Sequence, residues 1–134
     1  MKQRPTIVVL AAGQGSRFGG PVHKLEQGLG ASTVLGTTLG HVIASGCPFV
    51  VVTTARLVPL ASTLVARRDL VVVSDADARR GVGHSIAAGV SERPHAEGWL
   101  VLPGDMPMIR ERSILAVADA LVQRFAEAFA RQKS

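Results

Sequence analysis

Tyrosine is absent from the 134 residues, tryptophan occurs once and phenylalanine four times. With aromatics at 4%, little is available for a base-stacking surface of the kind that grips single-stranded nucleic acid. Cysteine occurs only at Cys47, so no internal disulfide can form and a reducing cytoplasm is the expected setting. No apolar run approaches the ~20 residues that a bilayer span requires. The short polar stretch before the first apolar run has no secretory signal character. Acid is missing too: none precedes Glu26 and none lies between Glu26 and Asp69. The first half of the chain is therefore cationic, and the whole carries a formal charge of +5. Nucleic acid, an anionic membrane or a phosphorylated small molecule could each answer such charge. The scarcity of aromatics and of any Lys/Arg run favours the small molecule, although a solvated basic surface explains net charge equally well.

What is present is apolar and patterned. Hydrophobic residues make up 47% and charged residues 19%, which excludes disorder. The length suits one domain over 1–134, since domains cluster at ~100–150 residues. Four Val-rich runs, Thr6–Ala11, Phe49–Thr53, Leu70–Ser74 and Trp99–Leu102, are nearly continuous rather than alternating. That pattern suits strands buried on both faces of a parallel sheet. Helical spacing lies between them over Thr33–Ser45, Leu57–Arg67, Gly83–Val90 and Ser113–Gln132. The alternation predicts a three-layer α/β/α sandwich around a Rossmann-like, mostly parallel sheet. Ligands of such sheets bind beyond the carboxyl ends of the strands. The segments expected there are Ala12–Lys24, Thr54–Arg56, Asp75–Gly83 and Pro103–Ile109.

Three of these segments carry candidate chemistry. The first strand runs into Leu10-Ala11-Ala12-Gly13-Gln14-Gly15-Ser16-Arg17-Phe18-Gly19-Gly20. Glycines let successive N–H groups converge on an anion, and Arg17 and Lys24 add charge nearby. The run is not a dinucleotide fingerprint, because Phe18 occupies the third glycine position and no acid follows the second strand. It is not a P-loop either, because Pro21, Val22 and His23 separate Gly20 from Lys24. The second segment, Pro103-Gly104-Asp105-Met106-Pro107-Met108, offers Asp105 as a Mg²⁺ ligand or, equally, a turn without metal. The third, Arg80-Gly81-Val82-Gly83-His84-Ser85, opens a helix whose N–H groups could meet a ligand, or is an ordinary loop. His23, His41 and His95 have no metal-ligand spacing. Cys47 before Pro48 reads as core rather than as a nucleophile.

Together these residues resemble the MobA-like nucleotidyltransferases. That family opens with L-A-A-G-x-G/S-x-R-x-G, continues to a Lys and later has G-D-x-P. The matching positions are Leu10–Gly19, Lys24 and Gly104–Pro107. His23–Leu25, Gly81–Ser85 and Gly104–Met108 are similar to the branch of molybdenum cofactor cytidylyltransferases. The resemblance runs from about Thr6 to Leu121. It implies the nucleotide-diphospho-sugar transferase type of sheet and a reaction in which the phosphate of molybdopterin attacks CTP and releases pyrophosphate. Arg17, Lys24 and Asp105 would be catalytic, with Asp105 holding Mg²⁺. Leu10, Ala11, Ala12, Gly13, Gly15, Thr54, Gly83 and Ser85 would join Arg17 and Lys24 in binding the nucleotide. A molybdoenzyme or its chaperone would be served downstream, with neither nucleic acid nor membrane as partner. The family's later segment, with a Gly-His-Pro element, has no counterpart here, which implies a domain incomplete at its C-terminus. GTP, a sugar-phosphate acceptor, or nucleotide binding without transfer are the alternatives.

Overall fold

The computed structural model describes residues 4–13, 24–30 and 32–133, the side chains of Lys24 and of 125–133 excepted. Its strands are β1 (Thr6–Ala11), β2 (Gly28–Leu29), β3 (Ser32–Thr33), β4 (Phe49–Thr53), β5 (Leu70–Val72) and β6 (Trp99–Pro103). Its helices are α1 (Val34–Ser45), α2 (Val58–Ala61), α3 (Asp75–Arg79), α4 (Val82–Glu92) and α5 (Glu111–Lys133). The main sheet has the order β5-β4-β1-β6, and its pairings are all parallel. Buried residues form two clusters, one on each face. Ile7, Val9, Ala11 and Val51 pack with Leu35, Leu39 and Val42 of α1 and with Ile114 and Ala118 of α5. Val8, Val50 and Val52 pack on the other face, where Ala78 of α3 and Ala88 of α4 close the layer. The expected sandwich is therefore the observed one.

Local chemistry accounts for the elements. The Thr33 side chain accepts from the Gly36 amide and caps α1. At the other end Gly46 takes φ +74° and donates to Ile43, a left-handed stop that glycine adopts without the Cβ penalty. The spacing of Leu35, Leu39 and Val42 puts one stripe in the core.

Three expectations change. Double-sided burial holds for the central strands, but β5 and β6 are edges, so Val72 and Val101 are exposed. The third strand stops at Val72 because Ser74 leaves the sheet to cap α3 through the Asp77 amide. The helix expected over Leu57–Arg67 is only the one-turn α2 between the 3-10 turns Ala55–Leu57 and Arg67–Asp69. Its spacing was real, since Leu57, Ala61 and Val65 are all buried. Past Ala61 the backbone closes in three-residue turns, with the Thr63 amide and hydroxyl both donating to the Leu60 carbonyl and the Leu64 amide donating to Ala61. The β2–β3 ribbon was not anticipated: two residues per strand leave no readable pattern.

Close packing under the site yields a first prediction. A Cβ at Gly89 would lie 2.6 Å from Val8 Cγ1 and 3.0 Å from Val52 Cγ2. Both valines are fully buried, and β-branched side chains are stiff at χ1. Gly89→Ala would gain ~1 kcal/mol of helix propensity and lose ~1–3 kcal/mol to overpacking. A net destabilisation of about 1 kcal/mol is expected, read as a lowered urea midpoint. An unchanged midpoint would show that α4 moves outward at no cost.

The start of α5 yields a second. The Glu111 carboxyl is held below its ordinary value of 4.5 by hydrogen bonding to backbone at its own position. Burial opposes this shift, and His41 and Arg110 add to it. His41 Nδ1 lies 3.2 Å from Glu111 Oε2 and joins α1 to α5. A lowered carboxyl pKa contributes stability above the unfolded value that is lost as pH falls through the folded one. Glu111→Gln should therefore be less stable than the parent above pH 4.5 and converge with it in acid. Parallel stability curves across that range would refute the linkage.

Candidate functional site

The site is assembled where β1, β4 and β6 end. The Gly104 amide donates to the Leu10 carbonyl at 2.8 Å, so the turn after β6 folds back on the end of β1. A Cβ at Gly104 would meet Leu10 O at 2.9 Å, Leu35 Cδ1 at 3.1 Å and Ala11 Cβ at 3.5 Å. Only glycine lets these backbones approach so closely. Asp105, half-buried, comes next in the turn that this bond ties to the end of β1. On the other side of β1, Thr53 Oγ1 donates to the Ala11 carbonyl at 3.0 Å. This bond holds the ends of β1 and β4 together and turns the chain into Thr54, which is buried.

The helix α4 completes the wall. It returns from β5, and crossovers between parallel strands run the helix against the strand direction, so its N-terminus faces the same sheet edge. Gly89 packs against the strand interior at Val8 and Val52. Ser85, one turn earlier, therefore lies ~6 Å nearer the carboxyl edge. Ser85 is buried and Gly83, outermost, is exposed. Gly81 has φ +116°, which frees the chain to enter α4 without a side-chain cap.

Of the residues singled out in the sequence, Leu10, Ala12, Gly13, Thr54, Gly83, Ser85 and Asp105 all belong to elements that meet at this edge. Ala11 is at the same level, but its side chain is fully buried in the α1/α5 core. Lys24 opens the 3-10 turn Lys24–Glu26, which is anchored by buried Leu25. Gly15, Arg17 and the side chain of Lys24 lie outside the described residues. Sequence reasoning missed Thr53 and Gly104 as the residues that draw the strand ends together. The signals were a hydroxyl closing an otherwise apolar strand, and the glycine before Asp105.

Charge surrounds this edge. Arg56 Nε is 2.8 Å from Glu26 Oε1. Asp77 Oδ1 lies 3.6 Å from His84 Nε2 and 3.8 Å from Arg80 Nη1. Among the described residues no group of three or more His, Cys, Asp or Glu could hold a metal ion. No helix among them is long and apolar enough to cross a membrane. Asp105 as one carboxylate fits Mg²⁺, which commonly takes one or two carboxylates and fills its shell with phosphate oxygens and water. It does not fit a cation caged by protein alone.

Comparison with known proteins supplies the family. Residues 7–134 match the MobA-like NTP transferase domain. The chain belongs to that family. As a MobA-like NTP transferase domain it is similar to the bifunctional protein GlmU of Gloeobacter violaceus, 33% identical over 144 residues, 95% of this chain and 30% of that protein. Its fold is similar to that of Rv0371c from Mycobacterium tuberculosis H37Rv, with TM-score 0.74 and 25% identity over 92% of this chain and 63% of that one. It is also similar to a nucleotidyl transferase from Methanothermobacter (Mth528), with TM-score 0.67 and 30% identity over 87% of this chain and 57% of that one. The MobA-like domain thus spans under a third of the curated relative and about three fifths of the solved chains.

Proposed function

We propose that this MobA-like domain transfers CMP from CTP to the phosphate of molybdopterin and releases pyrophosphate. The observation that carries the reading is the 2.8 Å bond from Gly104 to Leu10, which sets the Asp105 turn against the end of β1. In this reading an acceptor phosphate oxygen attacks the α-phosphorus. A new P–O bond forms, the bond to the bridging oxygen breaks, and pyrophosphate departs with the electron pair. The amides of Gly13 and Gly15 approach the phosphates, and Arg17 and Lys24 offset their charge. Leu10, Ala12, Thr54, Gly83 and Ser85 form the nucleoside walls, with Ala11 holding the strand end in the core. Asp105 would hold Mg²⁺, which when bound neutralises phosphate charge. Positioning and electrostatics carry such chemistry, so few protein groups need react. The cytidylyltransferase assignment is supported by the wording of His23–Leu25, Gly81–Ser85 and Gly104–Met108.

The test is pyrophosphate release from Mg-CTP with molybdopterin, repeated with GTP and ATP and with a sugar phosphate as acceptor. Release with CTP and molybdopterin alone is expected. Preference for GTP or for the sugar phosphate would reassign the substrate while keeping the site. Nucleotide-dependent stabilisation without product would reduce the function to nucleotide binding; a ligand at 100 times its Kd adds ~2.7 kcal/mol.

A further inference from the structure

Two short turns meet on the rim of the site, and their contact has a use beyond holding the fold. The turn Lys24–Glu26 and the turn Ala55–Leu57 are thirty residues apart in sequence. Leu25 and Leu57 are both buried in the same core cluster. Directly beside them Glu26 and Arg56 form a 2.8 Å ion pair. The Gln27 carbonyl, next along, accepts from the Val34 amide at 3.0 Å and ties the first turn to the start of α1. The first turn begins at Lys24 and the second is entered through Thr54. The pair therefore links the turn that begins at Lys24 to the turn entered through Thr54.

Energetics say the pair is not there for stability. The two side chains are 51% and 34% exposed, and exposed ion pairs are worth ~0–1 kcal/mol. Its geometry is nevertheless specific, a guanidinium Nε on a carboxylate oxygen across two separate turns. Misplacing a group by ~1 Å can cost ~100-fold in rate. We propose that Arg56 is a positioning residue of the MobA-like site, acting through Glu26 to fix Lys24 against the nucleotide's phosphates. This rests on the role given to Lys24 above.

The experiment is a double-mutant cycle on nucleotide affinity, so it does not depend on turnover. Mg-CTP is titrated calorimetrically into the parent, Lys24→Ala, Arg56→Gln and the double variant. Arg56→Gln is expected to weaken binding by up to about fivefold in the parent, the most that a pair worth ~1 kcal/mol can supply, and not at all in the Lys24→Ala background. Glu26→Gln should match Arg56→Gln. The reversed pair, Glu26→Arg with Arg56→Glu, should recover most of the lost affinity. Melting temperatures should stay within about 5 °C, as an exposed pair allows. An equal loss from Arg56→Gln in both backgrounds overturns the proposal, because Arg56 then acts on the nucleotide independently of Lys24. No loss in either background overturns it as well. If Lys24→Ala itself leaves affinity unchanged, or the parent does not bind Mg-CTP, the underlying site reading fails and takes this one with it.

Discussion

Asp105→Asn is expected to lower kcat for pyrophosphate release by about 100-fold or more while leaving the fold intact, the scale seen when one preorganised electrostatic group is removed. Asparagine keeps the size and one carbonyl oxygen of aspartate and gives up the charge. The half-buried side chain follows Gly104, whose amide ties the turn to the Leu10 carbonyl. The amide of Gly104 and its approach to Leu10 and Leu35 survive the substitution, so the turn should hold its place. What is lost is the anionic oxygen that a cation shared with triphosphate requires. The loss should appear in kcat and in the Mg²⁺ concentration needed for half-maximal rate, while far-ultraviolet circular dichroism and melting temperature stay near the parent's. Rapid turnover by the Asn variant at ordinary Mg²⁺ would remove Asp105 from the mechanism and leave the turn as a structural feature.

The legibility of this protein in its sequence follows the range of the interactions involved. Strands β1 and β4 could be read to the residue because both faces are buried, and Val-Val-Leu and Val-Val-Val runs have no other comfortable place. Edge status could not be read. Leu70–Val72 is as apolar as the central strands, and only the order β5-β4-β1-β6 exposes Val72. The failed helix after Leu57 has a similar cause. Its burial pattern is helical, while the backbone past Ala61 closes in three-residue turns. At the site, the motifs marked Leu10, Ala12, Gly13, Thr54, Gly83, Ser85 and Asp105, all on segments that meet at the carboxyl edge of the sheet. The residues that assemble those positions were silent. Thr53, Gly104 and the Glu26–Arg56 pair act across 30 to 94 positions of sequence, a distance at which no local pattern carries information. The family match over residues 7–134 shows the family and adds nothing about either group of residues.

Leu35→Ala should separate the core's contribution to stability from its contribution to the site. Leu35 is fully buried on the first turn of α1, and deleting three carbons there should cost ~2–5 kcal/mol. Domains of this size hold ~5–15 kcal/mol in total, so the variant should fold with a clearly lowered urea midpoint. The side chain has a second duty. Its Cδ1 is 3.1 Å from the position a Gly104 Cβ would take, so it backs the turn that presents Asp105. Leu39, one turn further along the same stripe and also fully buried, is absent from the nearest contacts of Gly104. Leu39→Ala is therefore the matched control, with the same chemistry removed and the same energetic range but no direct backing of the turn. At a temperature where both variants are fully folded, Leu35→Ala should lose about tenfold in kcat/KM, as sub-ångström displacement of a positioned group allows. Leu39→Ala should retain most of the parent value. Adding Gly104→Ala to Leu35→Ala should then cost less than Gly104→Ala alone, because the vacated space removes one of its two tightest contacts while Leu10 O at 2.9 Å remains. Equal activity losses in the two leucine variants would mean that the core supports the site only by keeping the domain folded.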